Sequence, residues 1–173
     1  MPPIIVCADA ARWGTERCVE FTRRLAPVAP RGALGIWDRD PARDPHATPL
    51  SERLKRLERL REVTLEHGHT LIVGARTDLA ITVNADGVHL PEHGVSVTSV
   101  LRSFPTLAVS RSCHDRQGLQ RAQEEGASWA TLSPFRAPRS KPSARAPLGE
   151  EEFKRRTAGL KLPVVALGGL DVA

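Results

Sequence analysis

Seven short apolar runs, with helix-like stretches or loops between them, limit most strongly what this chain can fold into. They lie at residues 4–7, 33–37, 71–73, 87–90, 107–110, 129–132 and 164–167. Most are continuous rather than alternating, as expected of strands covered on both faces. Helical patterns fall between them at 14–25, 51–67, 97–104, 115–125 and 150–158. In the second, Leu54, Leu57, Leu60 and Val63 make one stripe, Ser51 stands at the N-cap, and Gly68 closes the end. Gly126 closes the pattern at 115–125 in the same way. This alternation predicts a parallel α/β protein, and the count favours a TIM-type (β/α)8 barrel forming one domain over residues 1–173. Such barrels usually need about 200 residues or more. The sequence stops at GGLDVA, just after the seventh run, so the expected barrel lacks its final βα unit. Unpaired strand edges would favour association of copies.

The core has to come from aliphatic side chains, because aromatics are 4% of the chain and Tyr is absent. The net charge of +5 admits nucleic acid, membranes or small anions as partners. Acidic residues are interspersed with the basic ones, and neither a zinc-finger spacing nor an aromatic–basic RNA motif is present, which argues against nucleic acid. The charged runs at 51–61 and 150–156 read as solvated helix faces. Cys7, Cys18 and Cys113 match neither a metal knuckle nor a disulfide framework. The apolar run at the N-terminus is too short for a signal peptide or a membrane span, so the expected location is the cytoplasm.

Candidate chemistry gathers at strand ends, where α/β folds of this kind carry their sites. Ser112 and His114 stand just past the fifth run. An imidazole with an unperturbed pKa of about 6.5 suits proton transfer near neutrality; the plain alternative is that Ser112 or His114 caps the following helix. The loop at 135–148 carries Arg136, Arg139, Lys141 and Arg145 among prolines, a set of donors suited to an anion. Gly168 and Gly169 follow the seventh run, where backbone N–H groups could approach a phosphate closely. Asp86 and His89 read as structural. Arg76 and Asp78 open a short helix, and Asp38, Arg39 and Asp40 either serve the site or pair among themselves.

Together these motifs resemble the thiamine phosphate synthase and TenI superfamily, from about Ile4 to the last residue. The segments that carry the resemblance are LIVGARTDLAITVNADGVHLPEHGVSV, SRSCHD, SPFRAPRSKP and PVVALGGL. The departures from the synthase pattern matter as much. The Asn and Asp after strand three read here as Gly74 and Ala75, and the later metal Asp reads as Gly94 or is lost. The Arg and Lys after strand two read as Trp37 and Arg39, and the Thr pair of the phosphate loop as Ala137 or Pro138. Magnesium needs hard oxygen ligands, which these positions do not offer. TenI-type proteins share the fold without the metal set and aromatise a carboxythiazole phosphate by moving a proton. Their "R-S-x-H" pattern is matched by Arg111, Ser112 and His114, and Leu90-Pro91 also looks TenI-like.

The resemblance therefore implies a thiazole tautomerase-like enzyme that takes a small phosphorylated thiazole or thiamine-related ligand, with no metal or other cofactor. His114 would carry the proton and Ser112 would orient it or the substrate. Lys141 and the amides of Gly168 and Gly169 would hold phosphate, with Arg76 and Arg39 on a carboxylate. Two alternatives stand beside it: a thiamine phosphate synthase, and a non-catalytic binding or regulatory protein on a degenerate barrel.

Overall fold

The computed structural model describes residues 1–40, 48–137 and 145–170. Two compact units divide the chain, Met1–His89 and Leu90–Ala173. Among the described residues no helix is long and apolar enough to cross a membrane.

In the first unit, β1 (Ile4–Asp9), β2 (Leu34–Arg39), β3 (Thr70–Gly74) and β4 (Gly87–Leu90) lie side by side in chain order, each parallel to the next. Val6, Ile36 and Leu71 share one register line, and Ile36, Leu71, Val73 and Val88 are fully buried. Helices make the returns: α1 (Ala10–Trp13) and α2 (Thr15–Leu25) after β1, α3 (Leu50–His67) after β2, and α4 (Thr77–Thr82) after β3. Gly14, at φ 76°, separates the first two, so the helix expected at 14–25 begins one residue later.

Helix α3 departs from expectation in two ways. Pro49 occupies the N-cap position with no side-chain cap bond, and Ser51 lies exposed within the first turn. The face turned inward is Arg53, Arg56, Leu57, Leu60, Val63 and Thr64, with Leu54 half-buried. Its beginning is thus not a wholly solvated charged face: two arginines are buried because acceptors on β2 and β3 meet them. Gly68 closes the helix as expected, left-handed at φ 68° and donating to Leu65 and Thr64.

In the second unit, β5 (Ala108–Cys113), β6 (Trp129–Leu132) and β7 (Val164–Ala166) are again parallel in chain order. Helices α5 (Val97–Ser103), α6 (Arg116–Glu124) and α7 (Gly149–Thr157) complete it. Leu119, Ala122, Ala130, Leu132 and Leu162 form the core with Cys113, and Leu148, Phe153 and Leu160 pack against them. β5 runs three residues past its expected end. Ser110–Cys113 pair with Trp129–Leu132, so Ser112 is a strand residue opposite Thr131 and does not stand in the turn. The cap of α6 is Asp115, whose Oδ1 accepts from the Gly118 amide at 2.7 Å. Neither Ser112 nor His114 therefore caps the helix. Gly126, at φ 88°, ends it as expected.

Candidate active site

His114 is the first residue after β5, and Ser133 the first after β6. Parallel strands in register bring these two positions together. His114 Nδ1 lies 2.8 Å from the Ser133 carbonyl oxygen and 3.1 Å from its Oγ. A carbonyl only accepts, so Nδ1 carries the hydrogen, which leaves Nε2 as the ring nitrogen able to exchange a proton. The side chain is about a quarter exposed. Nε2 points toward Glu92, with Oε2 at 3.9 Å. Glu92 also meets Arg145 at 3.2 Å and His93 at 3.3 Å. From α7, Arg156 donates to the His114 carbonyl oxygen at 2.7 Å, fixing the backbone under the ring.

The segment after β6 serves a second purpose. Phe135 N donates to Leu167 O at 2.8 Å and Arg136 N to Gly168 O at 2.9 Å, while Leu167 N donates to Leu132 O. One short stretch, Ser133 to Arg136, thus touches the imidazole at one end and the turn after β7 at the other. Gly168 and Gly169 have φ of 102° and 62°. A Cβ on Gly169 would lie 2.5 Å from the Ala137 carbonyl oxygen, so only glycine fits there. Among the described residues neither glycine N–H has a backbone acceptor. The turn therefore lies beside a wall that also orients an imidazole, and two consecutive positive-φ glycines there are an arrangement suited to an anion. Arg136 is exposed in that wall. Lys141, the phosphate ligand expected from the sequence, lies outside the described residues, as does Arg139.

The remaining expected residues belong to the first unit. Arg39 is paired with Asp9. Arg76 forms a two-pronged contact with Asp78, at 2.8 and 2.5 Å. Each thus has a carboxylate partner within its own unit. Asp38 and Asp40 do not pair with Arg39. Asp38 accepts from Arg53 at 3.0 Å and Arg56 at 2.8 Å, and Asp40 accepts from Arg56 at 2.7 Å. Arg53 also donates to Gly74 O at 2.7 Å, and Arg56 to Thr15 and Thr48 at 3.2 Å each. Burial alone would push the Asp40 carboxyl up, but hydrogen bonds from Arg56 and Thr48 and the charge of Arg53 hold it below the usual range. His89, expected to be structural, is buried against the Trp37 ring, with centroids 4.4 Å apart. Asp86 is also structural, accepting from Leu71 N and Arg61.

The magnesium implied by the synthase pattern does not fit the residues present. At Gly74 an added Cβ would lie 2.8 Å from Asp38 O and 3.1 Å from the Trp37 indole nitrogen, so a ligand side chain has no room. Ala75 and Gly94 supply no side-chain oxygen, and the carboxylates of Asp38 and Asp40 are engaged by arginines. Among the described residues no three His, Cys, Asp or Glu side chains are grouped as metal ligands.

Glu92 and Ser133 escaped the sequence reading. Both follow a strand directly, Glu92 two residues after β4 and Ser133 next after β6, and that shared position is the signal that could have found them.

Strand ends carrying these groups, on parallel strands returned by helices, define a TIM-type α/β protein. Comparison with known structures agrees: thiamine phosphate pyrophosphorylase from Pyrococcus furiosus superposes with a TM-score of 0.77 at 22% identity, over 98% of this chain and 76% of that one. The fold expected from the sequence is therefore the one adopted, with seven strands among the described residues.

Residues 42–173 match the family described as thiamine monophosphate synthase, TMP-TENI. A protein of Aquifex aeolicus named "Putative thiamine-phosphate synthase 2" is 36% identical over 172 residues, covering 98% of this chain and 86% of the relative. "Thiamine-phosphate synthase" of Chloroflexus aurantiacus is 32% identical over 131 residues, 76% of this chain; the chain spans 60% of that longer relative. The chain belongs to the thiamine monophosphate synthase family.

Proposed function

We propose that this chain is an enzyme of thiamine biosynthesis that takes a phosphorylated thiazole and shifts a proton on it. The observation that carries the reading is the Ser133–Arg136 wall, which orients His114 through Nδ1 and backs the Gly168–Gly169 turn through two amide bonds. The glycine amides would hold the phosphate, with Lys141 as a further donor. His114 Nε2 would take the proton from the ring carbon that bears it in the carboxythiazole tautomer. The same nitrogen then returns a proton elsewhere on the conjugated system, leaving the aromatic ring. Ser112, half-buried in β5, lies two residues before His114 and would contact ring or substrate. Arg39 and Arg76, the carboxylate contacts expected from the resemblance, lie in the first unit, each on a carboxylate of that unit. The cytoplasm is the proposed place of action.

The names of the relatives favour thiamine phosphate synthesis over tautomerisation; in the synthase pattern that reaction joins a pyrimidine diphosphate to a thiazole phosphate. That second reading needs a divalent ion to carry the diphosphate charge. The poor fit of Gly74, Ala75 and Gly94 to such an ion speaks for the proton shift.

One experiment separates them. The purified chain is given the carboxythiazole phosphate tautomer in one arm, and the pyrimidine diphosphate, thiazole phosphate and magnesium in the other. Conversion of the tautomer, falling at least 100-fold in His114→Gln, is the expected result. Thiamine phosphate formation without tautomer conversion would replace this reading with the synthase. Binding with neither reaction would make the chain a non-catalytic phosphate-binding protein.

A further inference from the structure

Glu92 has a place in the unit that its sequence position does not announce. It sits on the segment between β4 and α5, and that segment is clamped to β5 by Arg111. The Arg111 guanidinium donates to Val95 O at 2.8 Å and to Gly94 O at 3.2 Å. Arg111 is buried, and it also faces Glu125 at 3.7 Å. Glu125 in turn accepts from Val97 N at 2.8 Å, so the end of the segment next to α5 is tied down. The strand that delivers His114 therefore also fixes the backbone that delivers Glu92, and the two side chains meet at 3.9 Å.

The direction of the hydrogen bonds gives this contact a sign. Nδ1 donates to Ser133 O, so in the neutral ring Nε2 presents a lone pair to Glu92. A carboxylate has nothing to donate to it. Once Nε2 gains a proton, the same contact becomes an ion pair. Glu92 thus favours His114 in the state just after it has accepted a proton. Arg145, at 3.2 Å, shares the Glu92 carboxylate and works against this effect. The other charged groups facing His114 are His93, on the Glu92 carboxylate, and Arg156, on the His114 carbonyl oxygen. Asp115 is turned away, onto Gly118 N.

We propose that Glu92 is a positioning residue for His114, holding the ring and stabilising its protonated form, with Arg145 as the counterweight that limits it. This rests on the reading of His114 as the proton carrier. Its physical core can be tested without activity, by the rate at which diethyl pyrocarbonate modifies His114 at pH 6. That reagent takes the neutral ring. Arg102 and Arg111 lie between His93 and His114, so tryptic peptides separate the two.

Glu92→Gln should speed modification of His114 about threefold, the scale of a partly exposed ion pair. Arg145→Gln should slow it by a similar factor, because Glu92 then has one competitor fewer. A general loosening of the fold would speed both, and the melting temperature of each variant is the control for that. Changes of the same direction in the two variants, or neither exceeding 1.5-fold (on the order of the smallest ion-pair effect), overturn the proposal. Opposite changes in a protein that converts no tautomer would keep the Glu92–His114 coupling and remove the reaction. Where conversion is present, Glu92→Gln should lower kcat about tenfold with little change in KM.

Discussion

Replacing Arg56 by Met tests whether the buried charges of the first unit are a structural necessity. Arg56 is completely buried, donating to Asp38 at 2.8 Å and to Asp40 at 2.7 Å, and both carboxylates are almost fully buried as well. Met occupies much of the same aliphatic volume and leaves the carboxylates short of one partner. Breaking a buried pair by removing one member costs about 3–5 kcal/mol. Arg53 remains on Asp38, so the loss should fall at the lower end, about 3 kcal/mol. For a chain of this size that is roughly 6–12 °C in Tm.

The pH dependence has a definite sign. Asp40 is held below its ordinary 3.8 in the folded protein, so it contributes stability above that value. The contribution disappears as pH falls through the folded value. The Tm difference between parent and variant should be constant from about pH 5 to pH 8 and shrink below about pH 4. Scanning calorimetry across this range reads both effects. Arg56→Lys, which keeps the charge and loses the fork, should fall between the two proteins. A variant melting within 2 °C of the parent (roughly half a kcal/mol), or a difference unchanged down to pH 3, would refute the reasoning.

Other consequences are more local. Asp115→Ala removes the α6 cap and should cost about 1 kcal/mol, seen as roughly 2–4 °C in Tm. Gly169→Ala puts a methyl group into the Ala137 carbonyl at a left-handed φ. It should cost about 1–3 kcal/mol and weaken the binding of thiazole phosphate in calorimetry more than His114→Gln does. Burial pushes the Cys113 and Cys18 thiols up to about 11. Both should react with Ellman's reagent at least about 100-fold more slowly in the folded protein than in guanidinium, and equal rates would contradict their burial.

Much of the fold was legible because burial writes itself into residue type. A strand covered on both faces has to be apolar throughout, and so β4 and β6 were found at their true limits. β5 was cut short because Arg111 and Ser112 are polar. The strand continues through them since the backbone bonds to β6, and not the side chains, decide where pairing stops. Helix ends marked by glycine were read correctly at Gly68 and Gly126, where a left-handed residue is needed. The N-terminus of α3 was misread, because Pro49 ends up at the cap position and Ser51 falls inside the first turn.

The chain's own order of residues determined that strands and helices alternate, that His114 closes the fifth strand, and that two glycines follow the seventh. Those are local facts, set by hydrophobic period and backbone freedom over a few residues. Only the tertiary structure decided which charges meet. Arg53 and Arg56 look like their neighbours in a row of surface charges until β2 and the residue after it offer them Asp38 and Asp40. Glu92 lies twenty-two residues from His114 in the chain and comes to its ring on a segment that Arg111 of β5 holds at Gly94 and Val95. A charge acts over a few ångströms in space, whatever its separation along the chain, so its partner becomes definite only when packing has brought distant segments together.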